Sequence, residues 1–160
     1  MATLPQLIEE DIQVLDASLL EFLRQTSATA ALVIDKGGFL VTHQGDAGDV
    51  DFTTLGALAS GAFLASQTIA GLVNEPNFNS TYQQGEKFSL LVVDINENCL
   101  LVILFKSQTG VGLMKYYGSN CTSRIARQLV AAAERNPGGG FDLSVLNIAD
   151  PQDLFRKKVA

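Results

Sequence analysis

The 160-residue sequence has no tryptophan, one histidine and two cysteines, and each shortage removes a kind of chemistry. A Ser-His-Asp site would have to use His43, yet no Gly-x-Ser-x-Gly elbow occurs, and Ser60-Gly61 falls inside an expected helix. His43 therefore reads as a surface or loop histidine at a strand end. Cys99 and Cys121 stand far apart without a Cys-x-x-Cys, so with one histidine they cannot assemble a zinc site from one chain. The opening "MATLPQLIEEDIQVLD" has early acids and no long apolar run after a positive start, which is not the pattern of a secretory signal. Both thiols are accordingly expected to be free and buried, and the expected compartment is the cytoplasm.

Positive charge is also scarce. Eleven Lys and Arg face 17 Asp and Glu, for a net charge of −6, and no run forms a basic patch. Nucleic acid and anionic membrane are thereby excluded as main partners. The phosphate-cradling Gly-x-x-x-x-Gly-Lys-Ser/Thr is missing, and "TGVGLMKYYG" shares only its letters, so no nucleotide-hydrolysing site is expected. The acids of "GDAGDVD" lack the spacing and twelfth-position ligand of a calcium loop and read as a solvated loop ending in a helix cap. The sequence points to no catalytic residue, no metal, no cofactor and no small-molecule substrate.

What is present is apolar patterning, with 47% hydrophobic and 8% aromatic residues, enough for one domain with a real core. "PQLIEEDIQVLDASLLEFLRQ" places Ile8, Ile12, Leu15, Leu19, Phe22 and Leu23 on one helical stripe, with Thr3 as cap and Pro5 in the first turn. "TAALVID" and "FLVTHQ" form a hairpin around Lys36-Gly37-Gly38. A second helix runs from about Phe52 to Val73, followed by a polar edge strand in "FNSTYQQGEK". "KFSLLVVDI" and "NCLLVILFKS" are apolar at successive positions, so both faces of these strands need cover. "GVGLMKYYG" reads as a connection. "SNCTSRIARQLVAAAERN" reads as a third helix, with Ser119 or Thr122 as cap and Ile125, Leu129, Val130 and Ala133 on one face.

The expected fold is an α/β (α+β) sandwich of order α-β-β-α-β-β-β-α. Five antiparallel strands carry the first and last helices on one face and the long second helix on the other. Residues 1–136 make the domain. Residues 137–160 make a Gly-rich break and a tail, within which "ADPQDLFRKK" has the pattern of a short amphipathic helix.

The second helix is unusual, because "DFTTLGALASGAFLASQTIAGLVNE" carries no charge between Asp51 and Glu75. Its threonines, serines, Gln67 and three glycines, and the lack of flanking cationic or aromatic anchors, argue against a membrane span. Rotation by about 100° per residue separates two stripes. Leu55, Leu58, Ala59, Ala62, Ile69 and Val73 would cover the sheet, while Ala57, Ser60, Gly61, Leu64, Thr68 and Gly71 would face away. Mid-helix glycine costs about 1 kcal/mol relative to alanine, so Gly56, Gly61 and Gly71 suggest that a backbone comes close. Either the chain's own tail covers this outer strip, or a second protein surface or second copy does.

The sequences "ALVIDKGGFLVTHQGDAGDVDFTTLGALASGAFLASQTIAGL" and "GEKFSLLVVDINENCLLVILFKSQTGVGLMKYYG" resemble the roadblock/dynein light chain family, in its MglB-like bacterial branch. The likeness covers roughly residues 5–135 and rests on the Asp35-Lys36-Gly37-Gly38 hairpin, the small-residue helix, the Gly85 turn and the paired strands. The resemblance implies a non-catalytic homodimer, or a heterodimer, that binds a Ras-like small GTPase of the MglA type. It also implies that Ala57, Ser60, Gly61, Leu64, Thr68 and Gly71 form the helix side of the dimer and partner surface. Phe78, Ser80 and Tyr82 would belong to the strand seam that joins the two sheets.

A GTPase activator can donate an arginine, which is worth roughly 10³ to 10⁵ in rate. Arg24, Arg124, Arg127 and Arg135 fall in or beside expected helices and Arg156 in the tail, none in a Gly-flanked loop. Any activation is therefore expected to order the GTPase's own switch loops. A scaffold with no GTPase partner is the competing reading. A small-molecule sensor fits poorly, because the aliphatic strands leave few polar groups to orient a ligand.

Overall fold

The computed structural model describes residues 4–135. Its elements run α1 (Glu9–Thr26), β1 (Ala30–Asp35), β2 (Leu40–Gly45), α2 (Phe52–Leu72), β3 (Ser80–Gln84), β4 (Phe88–Asp94), β5 (Cys99–Lys106) and α3 (Val111–Arg135). The strands form one antiparallel sheet in the order β2-β1-β5-β4-β3, so β2 and β3 are its edges. The apolar runs of β1 and β5 lie side by side at its centre, where both faces are buried.

Alternation along these strands divides the core in two. Ala31, Val33, Leu91, Leu101, Ile103 and Phe105 face α1 and α3, meeting Leu15, Leu19 and Phe22 of α1 and Met114, Ile125 and Leu129 of α3. Ala30, Leu32, Ile34, Val92, Leu100 and Val102 face the other way, onto Ala59 and Phe63 of α2. Two helices on one face and one on the other is the arrangement expected from the sequence.

Three local expectations are corrected. First, α1 starts at Glu9 rather than near Pro5, which lies buried before the helix; Thr3 is outside the described residues. Asp11 closes the helix start by accepting the Ile8 backbone N–H at 2.8 Å. Second, α3 begins at Val111, so "GVGLMKYYG" is helix and not a connection. Its buried stripe is Met114, Gly118, Cys121, Ile125, Leu129 and Ala132, with spacings of three and four. Third, Val130 and Ala133 therefore lie outward. The proposed tail helix in residues 137–160 lies outside the described residues.

The ends of α1 and α3 are tied by one buried carboxylate. Asp11, fully buried, accepts Arg135 Nη1 at 2.9 Å and Nη2 at 2.7 Å, and Gln128 Nε2 at 2.7 Å. The Arg135 hydrogen bonds, opposed by burial and aided by Ile8 and Gln128, hold its carboxyl at about 2 instead of 3.8. A carboxyl lowered in this way contributes stability that is fully present above the ordinary value and lost as pH falls toward 2. With Arg135 partly exposed, the contribution is on the order of 1–2 kcal/mol. Urea denaturation of Asp11→Asn should show a loss of that size at pH 7, and a much smaller difference from wild type at pH 2.

Candidate protein-docking face

Asp51 starts α2, its carboxylate accepting the N–H groups of Thr53 at 3.1 Å and Thr54 at 3.4 Å and the Thr54 hydroxyl at 2.7 Å. The Thr54 hydroxyl is the main cause of the lowered Asp51 pKa. From there 21 residues run without a charge. The stripe that meets the sheet is Gly56, Ala59, Ser60, Phe63 and Ala70, with Leu55 half-buried beside it. Gly56 lies close against β1: a Cβ on it would stand 3.0 Å from Ile34 Cγ2, tighter than ordinary packing.

This phase differs from the expected one. Ser60 is not on the outer strip: it is 2% exposed and its hydroxyl donates to the Lys36 carbonyl at 2.7 Å. Leu58, Ala62, Ile69 and Val73, expected against the sheet, instead point away from it. Phe63, the one aromatic within the helix body, sets the phase because its ring fills more of the space over β1 and β5 than any leucine at the helix ends. A stripe drawn through Phe63 at spacings of three and four recovers Ala59, Gly56 and Ala70.

The outward face is consequently more apolar than the sequence stripe implied. Leu58 is 68% exposed, Leu64 51%, Ile69 53% and Leu72 80%. Ala57, Gly61, Thr68 and Gly71 lie among them, all exposed. A Cβ added at Gly61 or Gly71 would meet nothing within 4 Å, so packing within the described chain does not call for glycine at either place. By length and composition α2 is apolar enough to cross a membrane, with only 28% of its most apolar window buried. In this fold it lies along the sheet, tied to it by side-chain hydrogen bonds at two points.

One of those points is Ser60. The other is Gln67, which the sequence reading did not single out. Its Nε2 donates to the Phe78 carbonyl at 2.8 Å, and its Oε1 accepts the Phe78 N–H at 3.1 Å. This pair brings the chain entering edge strand β3 up against α2. Among the described residues β3 pairs only with β4, in the register Ser80↔Val93 and Tyr82↔Leu91. Ser80 and Tyr82 therefore project toward the α1/α3 layer, where Tyr82 stacks on Phe105 with ring centroids 6.2 Å apart. Thr81 and Gln83 take the α2 side. Thus α2 lies beside a β3 backbone edge that is unpaired among the described residues, while the Ser80 and Tyr82 side chains belong to the opposite face.

A model of the Roadblock/LC7 domain matches residues 15–105. The chain belongs to the Roadblock/LC7 family. The uncharacterized protein MJ0714 of Methanocaldococcus jannaschii is 30% identical over 111 residues, 69% of this chain and 92% of its own length. An MglB structure described as having a tetrameric arrangement superposes with a TM-score of 0.76 at 29% identity, over 82% of this chain and 99% of that one. The gliding protein MglB from Thermus thermophilus gives 0.75 at 29% identity, with the same two coverages. Myxococcus xanthus MglB, at 23% identity and a TM-score of 0.73, covers 79% of this chain and 96% of its own and shares the fold.

Within this roadblock domain the arginines keep to one side. Arg24 lies on α1, where it pairs with Glu21, and Arg124, Arg127 and Arg135 lie on α3. All four are on the layer across the sheet from α2. His43 is exposed and packs its ring 4.6 Å from that of Phe52. No group of three metal-binding side chains exists among the described residues. Burial pushes the thiols of Cys99 and Cys121 up to about 12, which leaves them protonated near neutral pH. Together α2 and the β3 edge present an apolar, uncharged strip beside a backbone edge that is unpaired among the described residues.

Phe63 holds that surface in place, and Phe63→Ala should destabilise the domain by about 3–4 kcal/mol in urea denaturation. Recovery of more than half of that loss by Phe63→Leu would show that volume over the sheet, rather than the aromatic ring, is what α2 requires.

Proposed function

We propose that the chain is a non-catalytic, cytoplasmic homodimeric adaptor that binds a Ras-like small GTPase, with α2 and the β3 edge as the dimer seam and partner face. The observation that carries this reading is the outward side of α2. It presents Leu58, Leu64, Ile69 and Leu72 without a single charge, around two glycines whose Cα atoms stand in open space. Gly61, in the helix interior, sacrifices about 1 kcal/mol of helix stability relative to alanine. A second backbone that approaches it closely offsets that loss.

Areas decide how much surface must take part. A strip 10 Å wide on a helix of this length is on the order of 300 Å². At ~25 cal/mol per Å² its cover contributes about 7 kcal/mol per copy before the entropy of association is subtracted. A stable interface buries roughly 800 Å² on each partner, so the helix alone is too small. The adjoining β3 edge, brought alongside by Gln67 and Phe78, supplies further area and backbone hydrogen bonds. Pairing of two β3 strands about a two-fold axis also removes an open sheet edge.

The family resemblance supports a GTPase of the MglA type as the partner. A GTPase bound on the α2 side would meet none of Arg24, Arg124, Arg127 or Arg135, since these sit across the sheet. Stimulation of hydrolysis, where it occurs, works by holding the GTPase's own switch loops in order. The same one-sidedness favours a second reading, a dimeric scaffold without a GTPase partner. Capture of a small GTPase in one nucleotide state supports the adaptor, and failure to capture it in any state supports the scaffold.

Two measurements check the seam and the arginines. Leu64→Asp should convert the dimer to monomer in multi-angle light scattering, while its circular dichroism stays that of the wild type; a dimer of undiminished affinity would remove α2 from the interface. Alanine substitution at Arg24, Arg124 and Arg127 should leave GTP turnover within about twofold of wild type. An arginine whose loss abolishes stimulation but spares binding would establish a donated arginine instead.

A further inference from the structure

The two-helix layer, across the sheet from α2, carries a cavity of about 300 Å³ between α1 and α3. Asp11 meets Gln128 and Ser18 meets Cys121, so the helices run antiparallel and the cavity is a groove along both. Ser18, Phe22 and Gln25 of α1 face Tyr117, Cys121 and Arg124 of α3, with spacings of three and four on each helix. The floor is tightly closed. Phe22 is buried, and the buried Cys121 thiol donates to the Ser18 carbonyl at 3.6 Å.

Arg124 and Arg127 line the groove from α3, and among the described residues neither makes a hydrogen bond or an ion pair. Glu21, the one carboxylate on the walls, is engaged by Arg24. Three arginines therefore stand against a single carboxylate, although the whole chain carries a net charge of −6. Their charge reaches the floor, where Arg124 opposes the burial that raises the Cys121 thiol. Gln25, Asn120 and Ser123 are exposed along the same walls, and none has a hydrogen-bond partner among the described residues.

We infer that this groove binds an acidic segment of a partner polypeptide, with carboxylates on Arg124 and Arg127 and one apolar side chain against Phe22 and Tyr117. Charge complementarity names the chemistry of the occupant, since a guanidinium pairs with a carboxylate through two parallel hydrogen bonds. The amides of Gln25 and Asn120 each offer a donor and an acceptor, which is what a peptide backbone requires. A bare inorganic anion would use the arginines and leave the amides and the aromatic floor without a role. Tyr117 to Arg127 spans about 15 Å of helix, a length that an extended segment covers in about four residues. The chain's net negative charge does not bar approach, because exposed charges beyond about 8 Å are screened at physiological ionic strength. An occupant here leaves α2 open, so one domain can hold two polypeptides at once.

Two-dimensional NMR of the isotope-labelled full chain, with no GTPase present, tests this directly. The probe is the peptide acetyl-Glu-Glu-Phe-Glu-Glu-amide, and its control carries glutamine in place of every glutamate. The acidic peptide should shift the amides of residues 18–25 and 117–127 and leave those of α2 unchanged. The control should bind about tenfold more weakly, and so should the acidic peptide in Arg124→Glu/Arg127→Glu. Both arginines are exposed, so the spectrum of that variant should otherwise remain that of the wild type. Absence of shifts at 18–25 and 117–127, or undiminished binding after charge reversal, would overturn the inference. Equal binding of the glutamine control would do the same, as would the same shifts with inorganic phosphate alone, which would make this a bare anion site. Shifts of these amides on concentrating the chain without peptide would give the groove to a second copy instead. Because the readout lies on α1 and α3 and needs no GTPase, its failure is distinct from failure of the α2 reading.

Discussion

Strands β1 and β5 are apolar at consecutive positions and lie side by side at the centre of the sheet, so water must be kept from both of their faces. The rest of the architecture follows from that demand. One face takes two amphipathic helices, each with a polar outer side. The other takes a single helix, and one helix across five strands can cover only the middle. The cover on this side is sealed by Phe63, Ala59 and Gly56 against Ile34 and its neighbours. Ser60 and Gln67 hold the helix in place through backbone groups of the β1–β2 turn and of Phe78.

The same arrangement explains why α2 differs from α1 and α3. On the two-helix face, charges point to solvent and the helix ends are locked by Asp11 and Arg135. The lone helix has no comparable polar side. Its outer residues include Leu58, Leu64, Ile69 and Leu72 and no charge. In the proposed dimer, association completes the hydrophobic burial, and stability and oligomeric state become coupled quantities.

The two sheet edges present contrasting problems. β3 is polar and short, and its pairing with β4 leaves a backbone edge next to the apolar outer strip of α2. An edge that adjoins an apolar helix face is suited to specific pairing, because helix contact sets the register that a polar strand alone does not. β2 adjoins an apolar groove whose walls include Leu4, Leu7, Ile12, Leu40 and Val41.

Element type and order were legible in the sequence, because hydrophobic periodicity reports directly on burial. The double-faced runs of β1, β4 and β5 required helices on both sides, and the uncharged residues from 52 to 74 marked α2 as the helix with two apolar faces. The start of α3 was obscured by Gly110, Gly112 and Gly118, which read as loop although Met114, Gly118 and Cys121 continue the buried stripe. The orientation of α2 was not legible, since a helix without charges has no polar side to set its rotation. Only contact with the sheet decided it. Phe63 and the close approach of Gly56 to Ile34 turned Ser60 inward and Leu58 and Ile69 outward. Likewise, the alternation of β3 did not reveal which face Tyr82 would take until pairing with Leu91 fixed it. Composition thus determined that this helix has no polar side, while three-dimensional packing selected the residues that lie outward, because rotation and register are settled by neighbours distant in the chain.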